Sequence, residues 1–127
     1  MDASPRLTRE HFARSVMAVP PLARGASGRI DPAENARIIR HLEAGGVSLL
    51  LYGGNANLYH LELAEYEPLL EMLASTAGPE TLVVPSAGPT YGLLLEHARI
   101  IRRHRFQTVM ALPQQGITTS AGVATGI

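Results

Sequence analysis

Four short, mostly apolar runs recur at nearly regular intervals, and this spacing limits the folds open to the chain. Their starts lie 31, 34 and 27 residues apart, close to the ~30 residues that one strand and its crossover helix occupy. Runs of this kind are typical of strands that are covered on both faces of a parallel sheet. The pattern predicts four parallel strands near residues 16–20, 47–52, 81–85 and 108–112.

The segments between these runs have the sequence features of helices. Asp31 and Pro32 supply an N-cap and a proline at the first helical position, and Gly45-Gly46 ends that helix. The residues that we expect on its buried face recur with helical spacing. They are Ala36, Ile38, Ile39 and Leu42.

Two further helices and the start of a fourth are predicted. Residues 62–77 form the second, and Pro68 either kinks it or moves its start to near Glu67. Residues 91–104 form the third, and residues 120–127 begin the fourth. The side chains expected on the buried faces of the second and third helices are Leu63, Tyr66, Leu69, Leu70, Leu73, Leu94, Leu95, Ala98 and Ile101.

The element order βαβαβαβα predicts a parallel sheet with right-handed crossovers. An eight-stranded (β/α)₈ barrel, the TIM barrel, needs ~250 residues, and the 127 residues here hold only four βα units. The pattern therefore fits two arrangements, a half barrel and a self-contained four-stranded α/β domain. Periodicity alone favours neither.

The composition excludes several functional classes. Eleven basic residues balance eleven acidic ones, so no basic surface points to nucleic acid or an anionic membrane. The chain has no cysteine, a polar N-terminus without a signal peptide, and no apolar run long enough to span a membrane. We therefore expect a soluble, cytoplasmic protein. All eleven basic residues are arginines, because the sequence contains no lysine.

Glycine and small polar residues are concentrated where the predicted strands end. Gly53, Gly54 and Asn55 follow the second strand, Ser86 ends the third and Gln114 follows the fourth. Because the carboxyl ends of parallel strands meet at one edge of a sheet, these residues predict a binding face there. Glycines allow close backbone approach to a ligand, and backbone N–H groups in such a turn suit a carboxylate or a phosphate.

Each of these residues also has a purely structural interpretation. By itself, the glycine-rich loop favours this structural interpretation, a turn in which Asn55 and Asn57 cap the next helix. His60 has no second histidine or carboxylate at metal-ligand spacing, so a surface or capping role is favoured over metal binding. Ser86 lacks the Gly-x-Ser-x-Gly context of a nucleophile and is interpreted as pocket lining.

Several of these segments, taken in order, resemble a known family. The chain has a first strand ended by Pro20, then Gly28-Arg29-Ile30-Asp31, then a helix reading Asn-Ala-Arg-Ile-Ile-Arg-His-Leu-Glu-Ala-Gly-Gly-Val from Asn35, and a glycine-rich loop before Leu61. This succession is similar to the dihydrodipicolinate synthase / N-acetylneuraminate lyase family, from about Val16 onward. The resemblance implies the first four βα units of a TIM barrel, with residues 1–127 as the N-terminal half of a single domain that ends within the fourth helix.

The resemblance also implies a chemistry and a set of site residues. Family members form a Schiff base between a lysine on strand six and a pyruvate-type 2-oxo acid, without a cofactor or a metal, and then make or break a C–C bond. Their loop after strand two usually reads Gly-Thr-Thr-Gly-Glu, and here Gly53 matches the first glycine while Gly54 and Asn55 replace the threonine pair. Where the family often has Pro-Tyr-Tyr after strand four, this chain has Gln114 and Gln115 after its proline.

These comparisons give an expected substrate site without a catalytic residue. Its members are Gly53, Gly54, Asn55, Ser86, Gln114 and Gln115. The expected function is a class I aldolase-type lyase or synthase, most members of which we expect to be homo-oligomers, and the chain alone should be inactive because it has no lysine. The alternatives are a Schiff-base dehydratase on the same barrel and a non-catalytic α/β module that binds a small carboxylate.

Overall fold

The computed structural model describes residues 5–56, 58–114 and 121. In this part of the chain, strands and helices alternate after a short first helix. The elements are α1 (Arg9–Arg14), β1 (Met17–Ala18), α2 (Pro32–Ala44), β2 (Leu49–Tyr52), two short 3₁₀ helices (Gly54–Ala56 and Leu58–His60), α3 (Leu63–Thr76), β3 (Leu82–Ala87), α4 (Tyr91–Arg103) and β4 (Met110–Ala111). The predicted fourth crossover helix, residues 120–127, lies outside the described residues except for Ala121.

The four strands form one parallel sheet in the order β1-β2-β3-β4. Ala18 pairs with Leu50, Leu50 with Val83, and Ala87 with Ala111. The predicted strand order and direction are therefore confirmed. The outer strands β1 and β4 are shorter than predicted, with two residues each. Each of them has only one neighbouring strand among the described residues, so fewer hydrogen bonds hold its ends.

The helix boundaries agree closely with the sequence pattern. The Asp31 side chain accepts a hydrogen bond from the Glu34 backbone N–H, as expected of an N-cap. Pro68 lies inside α3, so the alternative start near Glu67 is wrong. Side-chain contacts of Glu65 and Tyr66 hold the turn that precedes Pro68 in the helix, because Glu65 pairs with Arg24 and the Tyr66 hydroxyl bonds to β3.

The predicted buried faces of α3 and α4 need correction at three positions. Leu63 and Leu95 are 42% and 41% exposed, and Ala98 is exposed as well. The buried residues of α4 are instead His97, Ile100 and Ile101. The helix is rotated about its axis relative to the prediction because the His97 ring packs inward against α3. A count of apolar residues could not reveal this, since histidine does not register as a core residue.

Two apolar layers cover the two faces of the sheet. The larger one lies between the sheet and the helices and includes Leu50, Tyr52 and Val83. The smaller one lies on the other face, around Leu49, Leu82 and Val84. The N-terminal segment reaches this inner face, because Leu7 packs against the smaller layer and its backbone N–H bonds to the Thr108 hydroxyl. None of the helices in the described part of the chain has the length and apolar character needed to cross a lipid bilayer.

The loop from β1 to α2 is held by one buried amide side chain. Asn35 is 0% exposed, and its Oδ1 accepts a hydrogen bond from the Ala23 N–H at 2.9 Å. Its Nδ2 donates to the carbonyls of Ala23 and Asp31 at 2.8 and 2.7 Å. Asn35 thus joins both ends of the Ala23–Asp31 segment to α2, a role that the sequence pattern did not indicate.

We expect Asn35→Ala to lower the free energy of unfolding by about 2–4 kcal/mol, because two carbonyls and one N–H lose their buried partner. Glu34→Ala is the matched control on the same turn. It removes only the exposed Glu34–Arg37 ion pair and should cost about 0.5 kcal/mol. Urea denaturation measures both values. Equal losses in the two variants would contradict the anchoring role of Asn35.

Candidate functional site

The carboxyl-terminal ends of β2, β3 and β4 meet on the inner face of the sheet. Gly53 directly follows β2 and is buried. A Cβ atom placed on Gly53 would lie 3.1 Å from Ser86 Oγ and 2.7 Å from Met110 Cε. The absence of a side chain at Gly53 therefore allows the Ser86 hydroxyl and the Met110 methyl group to pack closely against the end of β2, and the Met110 methyl group occupies the position that a side chain would take. These three residues define the candidate site.

Ser86 is the polar centre of this site. It lies inside β3, one residue before the strand ends, because the strand continues two residues beyond the predicted 81–85. The side chain is 1% exposed, and Oγ has no hydrogen-bond partner among the described residues. A buried hydroxyl without a partner is costly unless a water or a ligand satisfies it. Ser86 Oγ is therefore positioned to donate to a ligand oxygen at this end of the sheet.

The glycine-rich loop after β2 is more compact than an open anion-binding turn. It forms two 3₁₀ turns, and the Gly53 carbonyl accepts hydrogen bonds from the N–H groups of Ala56 and Leu58. Ala56 and Leu58 are buried in the larger core. The N-cap position of α3 is occupied by Glu62.

A stacked pair of rings supports the end of β3 from the helix side. The rings of Tyr66 on α3 and His97 on α4 stack with centroids 3.7 Å apart. The Tyr66 hydroxyl donates to the Ser86 carbonyl at 2.7 Å, and His97 Nδ1 accepts from the Gly88 N–H at 3.2 Å. Burial lowers the pKa of His97 and raises that of Tyr66, so both rings are neutral near pH 7.

Gly88 has a backbone conformation that glycine readily adopts and other residues rarely do. Its φ angle is +105°, and a Cβ there would meet the Leu112 carbonyl oxygen at 3.0 Å. Directly beside it, the Leu112 N–H donates to the Ala87 carbonyl at 2.7 Å. The turn after β3 is thus fitted closely against the chain that leaves β4.

The predicted site residues are brought together only in part. Gly53 and Ser86 are adjacent, and Gly54 and the backbone of Asn55 follow in the first 3₁₀ turn. Gln114 is half-buried and follows β4 at the same end of the sheet. Gln115, like Asn57, lies outside the described residues.

Sequence reasoning missed Met110, Tyr66 and His97 as parts of this region. The sequence pattern places Met110 in the fourth predicted strand and Tyr66 on the buried face of the second predicted helix, and it assigns no role to His97. The position of His97 two turns into a helix, with Ile100 and Ile101 following it, was the one available signal of burial.

Another buried polar group lies on the helix side of the sheet. The Tyr52 hydroxyl is buried without a hydrogen-bond partner among the described residues, and burial raises the pKa of Tyr52 to about 12. The phenol therefore stays protonated at neutral pH. Because Tyr52 alternates with Gly53 along β2, its ring points away from the candidate site.

A group of possible metal ligands lies at the surface between α3 and α4. Ligand atoms of Glu67, Glu71 and His104 fall within 4.8 Å of one another. The Glu67 carboxylate is already bonded to His104 and Arg103, and these bonds lower its pKa. An ion-pair network accounts for this group without a metal.

Known structures share this arrangement of strands and helices. A dihydrodipicolinate synthase from Bacillus clausii superposes with a TM-score of 0.77 at 19% identity, over 91% of this chain and 40% of that chain. The synthase from Rhodopseudomonas palustris gives a TM-score of 0.75 at 19% identity, over 91% and 39%. YagE, a prophage protein of the dihydrodipicolinic acid synthase family from E. coli K12 solved in complex with pyruvate, gives 0.70 at 17%, over 84% and 38%.

These matches identify the fold. The four parallel strands and their helices form half of an α/β barrel. More particularly, the chain has a partial dihydrodipicolinate synthase-like fold and spans about 40% of the length of the synthases that it matches. No family model matches the sequence, and the search of curated proteins gives no match either.

We expect Gly88→Ala to lower the free energy of unfolding by about 1–3 kcal/mol, because the new methyl group enforces a strained φ angle and crowds the Leu112 carbonyl. Gly92→Ala is the control. It lies in the first turn of α4 with open space around it, and should leave stability unchanged or raise it by up to about 1 kcal/mol. Chemical denaturation distinguishes the two. A Gly88→Ala variant as stable as Gly92→Ala would contradict the close fit at this turn.

Proposed function

We propose that this chain supplies the first four βα units of a barrel enzyme of the dihydrodipicolinate synthase / N-acetylneuraminate lyase type. Such an enzyme makes or breaks a C–C bond of a pyruvate-type 2-oxo acid through a lysine Schiff base. The role of the present residues is to bind and orient the carboxylate end of that substrate. The fold similarity supports the family, and the Ser86 hydroxyl supports the binding role.

One observation carries the binding role. Ser86 Oγ is buried beside Gly53 and has no partner among the described residues. A carboxylate oxygen placed there would accept its proton in a charge-assisted hydrogen bond. The half-buried Met110 side chain, whose Cε lies 2.7 Å from the position of a Cβ on Gly53, would have to move to admit a small ligand and would then cover its apolar end.

The Schiff base itself requires a residue from elsewhere. A lysine amine adds to the keto carbon and loses water, and the iminium then accepts the electron pair of the C–C bond that breaks. The chain contains no lysine, so this step needs an amine that the remainder of a complete barrel would provide.

The lack of lysine also supports a second candidate function. A non-catalytic module that binds a small carboxylate needs the Ser86 site but no amine. The two candidates differ in selectivity, because a pyruvate site prefers 2-oxo acids whereas a general carboxylate site binds acetate comparably.

We expect sodium borohydride in the presence of pyruvate to leave the mass of the 127-residue chain unchanged at every internal peptide. Reduction traps a lysine imine, and the N-terminal amine is the only competing primary amine in the sequence. Intact-mass and peptide mass spectrometry measure the adduct. A stable pyruvate adduct within an internal peptide would contradict the assigned chemistry.

We expect added pyruvate to perturb the amide NMR signals of Gly53 and Ser86. We expect Ser86→Ala to weaken the affinity about 10–150-fold through loss of one hydrogen bond to a charged group. Ser75→Ala, which removes a hydroxyl bonded to the Met72 carbonyl on α3, is the matched control and should bind like the wild type. A titration with acetate tests selectivity. Unchanged affinity in Ser86→Ala would remove Ser86 from the site.

A further inference from the structure

Two side chains on the helix side of the sheet form hydrogen bonds to the end of β3, next to the candidate site. Tyr66 bonds to the carbonyl of Ser86, and His97 bonds to the N–H of Gly88. The stacked rings link α3 to α4, so the two bonds come from one rigid unit. The backbone on both sides of Ala87 is therefore fixed by a pair that does not itself line the inner face.

The hydrogen bond that the Gly88 N–H donates determines which nitrogen of the neutral His97 ring carries the proton. Because Nδ1 accepts a hydrogen bond, the neutral imidazole must carry its proton on Nε2. A second proton would occupy Nδ1 and turn the acceptor into a donor that faces the Gly88 N–H. The bond would then be lost, and a cation would be buried in the helix layer.

Among the described residues, no charged group that contacts His97 stabilises such a cation. Tyr66 faces the ring from α3, and β3 presents the Gly88 backbone. On α4 the flanking charged residues Glu96 and Arg99 pair with each other at the surface. Burial is the cause that lowers the pKa of His97 from its ordinary 6.5.

We propose that the Tyr66–His97 pair is a pH-sensitive positioning device that holds Ser86 in place while His97 is neutral and releases the end of β3 in acid. The proposal deepens the carboxylate-site assignment and rests on it for the position of the ligand. Neither Tyr66 nor His97 touches the substrate. Their effect passes through the backbone of residues 86–88.

The direction of the pH effect follows from the lowered pKa. A group whose pKa is lower in the folded state stabilises that state fully above its unfolded pKa of about 6.5. That contribution declines as the pH falls below about 6.5 toward the lower folded value. Acid should therefore loosen the end of β3 before the rest of the sheet unfolds.

The test is hydrogen exchange by mass spectrometry on the full chain, comparing a peptide that covers residues 82–90 with one that covers β2. His97→Asn keeps an acceptor at the position of Nδ1 but does not titrate. At about pH 7.5 we expect the β3 peptides of the wild type and of His97→Asn to exchange at similar rates. At about pH 5 we expect the wild-type peptide to exchange about tenfold faster than the same peptide of His97→Asn. His41→Asn, an exposed position on α2, should follow the wild-type pH profile.

His97→Phe keeps the stack and removes the acceptor, so its β3 peptide should already exchange about tenfold faster at neutral pH. If this variant does not fold, the comparison between the wild type and His97→Asn still tests the proposal. Identical pH profiles for those two proteins would overturn the proposal. Added pyruvate separates it from the proposed function, since a pH-dependent β3 end that pyruvate does not protect would refute the ligand site and leave the positioning device standing.

Discussion

The structure depends on the burial of β3 along its whole length. All six residues of this strand are buried, with β2 on one side, β4 on the other and α3 and α4 packed behind it. Because a fully covered strand cannot leave polar groups without partners, the polar atoms at its end need specific solutions. Tyr66 satisfies the Ser86 carbonyl and His97 satisfies the Gly88 N–H. The Ser86 hydroxyl, facing the other way, has no hydrogen-bond partner among the described residues.

The apolar periodicity was sufficient to predict four parallel strands that alternate with helices, because burial on both faces of a strand requires a continuous apolar run in the sequence. It could not predict how Asn35 and His97 are used, since each is polar and is buried only because the backbone offers it partners. The same limit applies to the candidate site. Gly53 and Ser86 were found from their place at strand ends, whereas Met110 enters the site through a three-dimensional contact between neighbouring strands.

The hydrogen-bond donors that this site offers to a carboxylate differ from those of the family that the chain resembles. A glycine and an asparagine stand where that family usually has two threonines, so both threonine hydroxyls are missing after β2. The Ser86 hydroxyl lies on the adjacent strand, next to Gly53. In this chain a hydroxyl donor therefore comes from β3 and not from the loop after β2, and the packing around β3 holds it in place.

The central claim is that these strands form half of a barrel, and its most direct test concerns the outer strands. Val16 and Val109, beside β1 and β4, are 73% and 42% exposed, and unpaired apolar strand edges recruit further strands. Sedimentation velocity on the 127-residue chain should therefore show dimers or larger assemblies at tens of micromolar, and Val109→Lys should reduce their fraction. A compact, soluble wild-type monomer at that concentration would contradict the half barrel and favour a self-contained four-stranded domain.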